Sequence, residues 1–421
     1  MTSPSNPEAS ADAKTAAKAD ASSKASAAPA DPPRPLRILI GADTFAPDVN
    51  GAARFAERLA AGLVERGHEV HILAPAADHR HVGTFVETIE GQPMTVHRAR
   101  SWRWYPHDWL RFVLPWRSRR YARRAIDALK PDVVHSQSHI VVGRGLSIEA
   151  EHRGIRIIAT NHVMPENIVD FTKLPPTLNH LLVRSQWKAA QRAFHRAAAV
   201  TTPTRKAADF LEANTDITDV LPVSCGIDAS HYVADLSPRT ERRIIFVGRI
   251  TFEKHLHVLL KAVASLDASE YDGVDIVGGG DREHDLKTQA AKLGLQDRVV
   301  FHGRVEEEEL RALYTRATVF AMPSIAELQS IATMEAMASG LPVVAANAMA
   351  LPHLVHDGEN GWLFDPESST DLAEKLRRVL TASPEEYSAM QRASLEGVRI
   401  HDIARTLSTF EALYRGEPVK E

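Results

Sequence analysis

Residues 318–347, TVFAMPSIAELQSIATMEAMASGLPVVAAN, decide how the rest of this chain is read. The stretch opens as a short apolar run at 318–322 and stops at Pro323-Ser324, as a buried strand does at its end. A loop carrying Glu327 follows, a helix is expected to start near Ser330-Ile331, and Glu335 lies one turn inside it. Gly340 stops that helix, and 341–346 is a second buried strand. Strand, loop and helix N-terminus together make an anion site, because the N–H groups of the first turn lack partners and carry partial positive charge. Two carboxylates beside such a site do not suit a bare phosphate. They do suit a phosphate flanked by hydroxyl-bearing sugars, since a carboxylate accepts two hydrogen bonds from a diol. That ligand is a nucleotide sugar. The same spacing also fits a surface loop and an ordinary helix, with solvated glutamates and with Met334 and Met337 in the core.

Composition sets the outer limits. The 421 residues suffice for two domains and a tail, and 25% charged with 44% hydrophobic residues is the balance of a soluble globular protein. A net charge of −4 argues against bulk nucleic-acid binding. Cys225 is the single cysteine, which excludes an internal disulfide and a cysteine zinc site and fits a cytoplasmic location. Residues 1–34 are Ala, Ser, Pro, Lys and Asp with almost nothing large and apolar, and are expected to be a disordered tail. They lack the apolar core of a signal peptide. No apolar run approaches the ~20 residues that span a bilayer, so membrane association is expected to be peripheral, on the cytoplasmic face.

From residue 35 the pattern alternates strand and helix. Residues 36–41 (LRILIG), a helix at about 54–66 and a strand at 69–74 form a βαβ unit, with ligands expected at the carboxyl ends of the strands. The intervening loop, ADTFAPDVNGAA, holds Gly51 where a ligand could approach the backbone closely, and no G-x-G-x-x-G is present. Residues 131–136 and 155–160 read as further parallel strands that end in His135, Gln137, Ser138 and His139, and in Asn161 and His162. With twenty histidines in the chain, only His162 is singled out for the cleft, while His135 is expected to pack within its sheet.

Residues 98–124 stand apart in composition, with nine arginines, Trp102, Trp104, Trp109 and Trp116, and Asp108 as the one acid. One reading is a long connection with packed aromatics and solvated arginines. The other is an interfacial surface, with tryptophan at headgroup depth and arginine drawn to anionic lipid.

The first domain is expected over 35–228 and a polar linker over 229–241. A second α/β domain covers 242–383, with strands at 243–248, 274–280, 298–303 and 318–322, and a helical segment at 384–421 returns to the first domain. Gly248-Arg249 and Lys254 place two cations at the end of the first of those strands, one a planar fork and one a point charge, suited to a diphosphate.

Glu327 and Glu335, followed by EAMASGLPVVAA, resemble the E-x7-E motif of retaining family 4 glycosyltransferases, which have the GT-B fold. The likeness covers nearly everything from Leu36 onward and is most specific in the second half. G-R-x(4)-K at 248–254 is similar to the family's diphosphate pair, P-D-V-N-G at 47–51 to its P-x-x-N-G turn, and VSCGID at the domain junction to its N-G-V-D turn. The resemblance implies an α/β GT-B protein, with two Rossmann-like doubly wound domains facing a central cleft. It implies Arg249 and Lys254 on the diphosphate, Glu327 on the hexose hydroxyls, Glu335 on the ribose, and the Ser330 and Ile331 amides on the phosphates. It implies further that Gly279 and the turn at His302, Gly303 and Arg304 lie beside the base, that Gly51 lies between phosphates and acceptor, and that His162 contacts the transferred sugar. One departure stands out. The family's E-x-F-G reads Glu327-Leu328-Gln329-Ser330 here, so a residue with a Cβ replaces glycine.

The implied reaction is hexosyl transfer with retention from GDP- or UDP-hexose, through an oxocarbenium-like transition state, with leaving-group charge met by Arg249, Lys254 and the helix N-terminus. No D-x-D occurs, so no metal and no further cofactor are expected at the nucleotide. The expected acceptor is a membrane lipid, with a soluble sugar or metabolite as the alternative, and residues 98–124 would contact an anionic membrane. A nucleotide-sugar epimerase would need an acid/base pair that this residue set does not supply, and a non-catalytic scaffold would bind donor without turnover. No nucleic-acid partner is expected.

Overall fold

The computed structural model describes Met1 and residues 34–48, 50–103, 111–166 and 175–419. The expected tail, except for its two ends, and Trp104, Asp108 and Trp109 lie outside the described residues.

The first lobe is built, in chain order, from β1 (Arg37–Gly41), α1 (Gly51–Glu65), β2 (Glu69–Pro75), β3 (Gly83–Ile89), β4 (Gln92–Ala99), β5 (Ser101–Arg103), β6 (Arg111–Val113) and α2 (Pro115–Leu129). It continues with β7 (Val133–Ser136), α3 (Val142–Glu151), β8 (Arg156–Thr160), α4 (Pro176–Phe194), β9 (Ala199–Thr202), α5 (Arg205–Asn214) and β10 (Leu221–Pro222). Eight of these strands form one sheet in the order β10-β9-β8-β7-β1-β2-β4-β3, parallel except for the edge strand β3. The central strands are apolar on both faces because helices cover both, and β7 is buried throughout.

The second lobe contains β11 (Arg243–Val247), α6 (Leu256–Ala264), β12 (Gly273–Val277), α7 (Glu283–Lys292), β13 (Val299–Gly303), α8 (Glu307–Arg316), β14 (Val319–Met322), α9 (Ile331–Ala338), β15 (Val343–Ala346), β16 (Gly361–Phe364) and α10 (Ser369–Leu380). Its six strands are all parallel, in the order β13-β12-β11-β14-β15-β16. In both sheets the strand order reverses beside the first strand of the lobe, between β1 and β7 and between β11 and β14. Loops leaving a parallel sheet at such a point diverge to opposite faces and leave a crevice at the strands' carboxyl ends. Pairing of β11 with β14 therefore brings the Arg249 and Lys254 loop against the Glu327 loop.

Two expectations change in the structure, and a strand pair is added to them. The described residues of 98–124 are not a long connection: they comprise the end of β4, the antiparallel pair β5–β6 and most of α2. The strand pair β3–β4 does not announce itself in sequence, since β3 (GTFVETI) is largely exposed and so lacks a sustained apolar pattern. The segment 384–421 does not return as a whole. α11 (Pro384–Val398) stays on the second lobe, where Ser394 donates to the Leu341 carbonyl at 2.7 Å. The chain crosses only beyond it, where Ile227 N–H donates to the His401 carbonyl at 2.8 Å and Ile403 N–H to the Ile227 carbonyl at 3.1 Å.

α12 (Ile403–Arg415) then packs on α1 and β8, with the Phe410 ring 5.8 Å from Phe55 and 5.0 Å from His135. His135 is fully buried, bonded to the Tyr414 hydroxyl and to Thr160 at 2.7 Å each, and burial lowers its pKa to about 3. It is a neutral core residue, as the sequence implied.

Candidate active site

The loop 323–330 ends in an unusual backbone. Ser330 is the N-cap of α9 at φ +81°, in the left-handed region where glycine sits without cost. Its hydroxyl faces Thr333 Oγ1 at 2.8 Å instead of capping a backbone N–H, so the first turn of α9 has no side-chain cap. The far end of the helix is closed by Gly340, also at positive φ, with its N–H donating to the Met337 carbonyl at 2.9 Å. An uncapped N-terminus facing the crevice is a concentration of unpaired donors and positive potential.

Both glutamates of the stretch are sheltered and both are paired. Glu327, with its side chain 12% exposed, receives the Lys254 ammonium directly. Burial alone would push its carboxyl up. Lys254, a hydrogen bond from Ser324 and the nearby Arg249 outweigh that and hold it below the ordinary carboxylate range. Arg249 itself lies 3.6 Å from Glu253. Glu335 is bound from the other lobe and from its own: Arg58 of α1 donates to its Oε1 at 2.7 Å and the Tyr314 hydroxyl of α8 donates to Oε2 at 3.2 Å. Burial first, and the Glu335 charge second, raise the Tyr314 and Tyr232 hydroxyls well above the ordinary tyrosine value, so both remain donors.

Opposite them, the first lobe presents the loops after β1, β7 and β8. Asp43 collects the Ser138 hydroxyl and the Val142 N–H (2.8 Å), capping α3 from a different strand's loop. His162 bonds Gln137 at 3.0 Å and lies 4.8 Å, ring to ring, from Phe55; burial lowers its pKa to about 3, leaving a neutral imidazole at the cleft. Gly51 opens α1 with nothing near the space a Cβ would fill. Asp48 of the same loop feels Arg98 and Arg111 of its own lobe and Arg304 of the second, although burial dominates and raises its pKa.

Gly303, at φ +68°, also faces open space and a Cβ at Gly279 would meet only Glu283 Oε2 at 4.0 Å, while their neighbour Gly278 could not carry a Cβ without striking the Gly248 carbonyl. His302 points away from this turn, to Asp275 at 2.8 Å. Among the described residues no group of three or more His, Cys, Asp or Glu side chains could hold a metal ion.

Two family models match the chain in succession: Glycosyltransferase Family 4 over residues 49–231 and Glycosyl transferases group 1 over 233–396. The chain belongs to the family 4 glycosyltransferases. It is a hexosyltransferase of the GT-B fold. Among curated relatives, the alpha-monoglucosyldiacylglycerol synthase of Streptococcus pneumoniae is 27% identical over 400 residues, 87% of this chain and 85% of that protein. The GDP-mannose-dependent alpha-mannosyltransferase of Mycolicibacterium smegmatis is 28% identical over 82% of this chain and 90% of that protein. Sucrose-phosphate synthase of Thermosynechococcus elongatus superposes with a TM-score of 0.77 over 90% of this chain and 98% of its own, at 18% identity, a likeness of fold.

Within this glycosyltransferase the structure brings Arg249 and Lys254 to Glu327, in the loop that leads into Ser330 and Ile331 at the start of α9, while Glu335 meets Arg58 and both His162 and Gly51 belong to the first lobe. Sequence reasoning missed Arg58, Tyr314 and Gln329. Arg58 follows Phe55 by three positions, at the edge of the apolar stripe of α1, where a cation reads as solvated. Gln329 replaces the family's aromatic and is buried: its Oε1 accepts from Cys225 N–H at 2.8 Å and its Nε2 donates to Ser224 Oγ at 2.9 Å.

Proposed function

We propose that this glycosyltransferase binds a nucleoside-diphosphate hexose with the diphosphate at the N-terminus of α9, between Arg249 and Lys254. The observation that carries the reading is the uncapped first turn of α9, led into by the Glu327 loop on which Lys254 and Arg249 converge. Glu327 meets the hexose hydroxyls, and Glu335 meets the ribose. Negative charge grows on the leaving diphosphate as the glycosidic bond breaks, and preformed donors at that point lower the barrier without reorganising. His162, neutral and held by Gln137, donates to or accepts from a hydroxyl of the transferred sugar. The acceptor attacks from the leaving-group face, which retains the anomeric configuration, and the donor phosphate takes its proton. Two cations and the helix N-terminus balance the diphosphate, so the nucleotide site works without a divalent metal.

The acceptor is an amphiphilic lipid. A groove of about 250 Å³ lies where the N-termini of α2 and α3 meet, with Trp116, Ile140, Val141 and Ile148 as apolar walls and Arg119 and Arg144 as cations. The likeness to an alpha-monoglucosyldiacylglycerol synthase over 87% of this chain supports the same choice. Around the groove, Trp116 is 68% exposed, and Arg120, Arg123 and Arg124 are exposed along α2. Arg98 is instead buried against Glu87 at 2.8 Å, and Arg117 lies 5.2 Å over the Trp102 ring. The outward arginines therefore define the membrane-facing part of the 98–124 segment, each contributing about 1 kcal/mol near anionic lipid. Among the described residues no helix is long and apolar enough to cross a membrane.

A screen of UDP- and GDP-hexoses with membrane extract as acceptor, with and without a chelator, tests the reaction. Turnover of one donor into an organic-soluble product, unaffected by chelator, is expected; product only with water-soluble acceptors overturns the lipid reading. Sedimentation with acidic against neutral vesicles tests docking, and reversal of Arg120, Arg123 and Arg124 to glutamate should abolish the preference for acidic vesicles.

A further inference from the structure

The contact between Arg58 and Glu335 joins residues 277 apart in sequence and on different lobes. Both side chains are nearly closed to solvent, at 13% and 9% exposure. Arg58 is also imperfectly satisfied. Its Nη2 serves Glu335 and, at 3.4 Å, the Tyr232 hydroxyl, while its Nη1 is buried with no partner. A buried ion pair roughly breaks even against desolvation, and an orphaned buried donor makes the balance worse. Stability is therefore a poor account of Arg58.

The geometry of the acceptor side gives a better one. An ionised carboxylate has about four acceptor positions, two on each oxygen. Arg58 occupies one on Oε1, Tyr314 one on Oε2, and the Tyr232 hydroxyl also bonds the carboxylate. A position is left for a ribose hydroxyl, and the carboxylate is held in place by partners from both lobes.

We propose that Arg58 is a positioning residue for donor recognition, reaching from the first lobe to orient Glu335 toward the ribose diol of the nucleotide. The inference rests on the assignment of Glu335 to the ribose made above. It makes diol recognition dependent on both lobes: α1 supplies the arginine, α8 the Tyr314 hydroxyl and α9 the carboxylate.

Calorimetric titration with UDP and GDP, each beside its 2′,3′-dideoxy counterpart, tests it. For the base that wild type binds, the diol form should be preferred by about tenfold or more, the scale of one hydrogen bond to a charged group. Arg58→Met should bring that ratio close to one while leaving affinity for the dideoxy form within about twofold. Arg58→Gln gives the same readout should the methionine variant fail to fold. A wild type indifferent to the diol removes the ribose assignment itself, and the inference with it. A wild type that discriminates, with an Arg58 variant that discriminates equally or loses both ligands alike, removes Arg58 alone.

Discussion

Glu327 and Glu335 belong to one short stretch, yet the molecule holds them from opposite directions. The partner of Glu327, Lys254, comes from the same sheet, one strand over, because β11 and β14 are neighbours. The partner of Glu335, Arg58, comes from the other lobe altogether. The first pair is a property of one Rossmann-like domain and would survive any movement between lobes. The second exists only while α1 and α9 stay together. The hexose end of the donor is thus expected to be read by a local device, and the ribose end by a device that also reports the arrangement of the lobes.

The strongest way to break this contrast is to strip the local device. Arg249→Ala with Lys254→Ala should lower turnover by orders of magnitude at saturating donor, since both act on charge that grows in the transition state. Loss of Lys254 also strands the sheltered Glu327 carboxylate, so the melting temperature of the double variant should fall. Arg249→Ala alone should separate the two, with damaged turnover and a smaller loss of melting temperature. Near-normal activity of the double variant would place the diphosphate elsewhere.

Next in size, Glu335→Ala should raise the donor KM by the equivalent of ~1–3 kcal/mol with kcat less affected, because a ribose contact is felt in ground and transition states alike. Steady-state kinetics would show it, and an unchanged KM with collapsed turnover would reverse the assignment. Gln329→Leu probes the neighbouring tether. It leaves the Cys225 N–H without its acceptor, at a cost of ~1–3 kcal/mol in denaturant unfolding, with donor affinity little changed.

The smallest effect is expected at Ser330. Ser330→Gly relieves a non-glycine residue at φ +81° and should raise stability by up to ~1 kcal/mol, less whatever the bond to Thr333 contributes. A loss of stability in a thermal melt would mean that the hydroxyl contact outweighs the backbone strain.

Much of the proposed donor side is legible in the amino-acid sequence. Its residues fall where local rules apply: a strand ends, a helix begins, a glycine closes it, and Gly248-Arg249 with Lys254 follows the lobe's first strand. The first lobe is less legible, because its contributions come singly. Asp43 caps a helix that begins about a hundred residues later, and nothing in its own neighbourhood marks it for that. Arg58 lies on a helix whose pattern only says which face is buried, not what stands beyond the edge of that face. The basic, tryptophan-rich segment illustrates the same limit, since composition lends all its arginines one character while the fold buries Arg98 and exposes Arg123.

By itself the sequence determined the α/β architecture, the two-lobed division, the strand-loop-helix turn with its two glutamates and the cations that face them. These follow from periodicity, helix signals and charge placed within a few residues, which act before distant parts of the chain meet. Only the tertiary structure decided the rest. It split 384–421 between the lobes, pinned Asp43 to α3, put Gln329 against the junction and closed Arg58 on Glu335. Such contacts join residues far apart in the chain, and they depend on crossover order and on lobe packing, which no local pattern encodes.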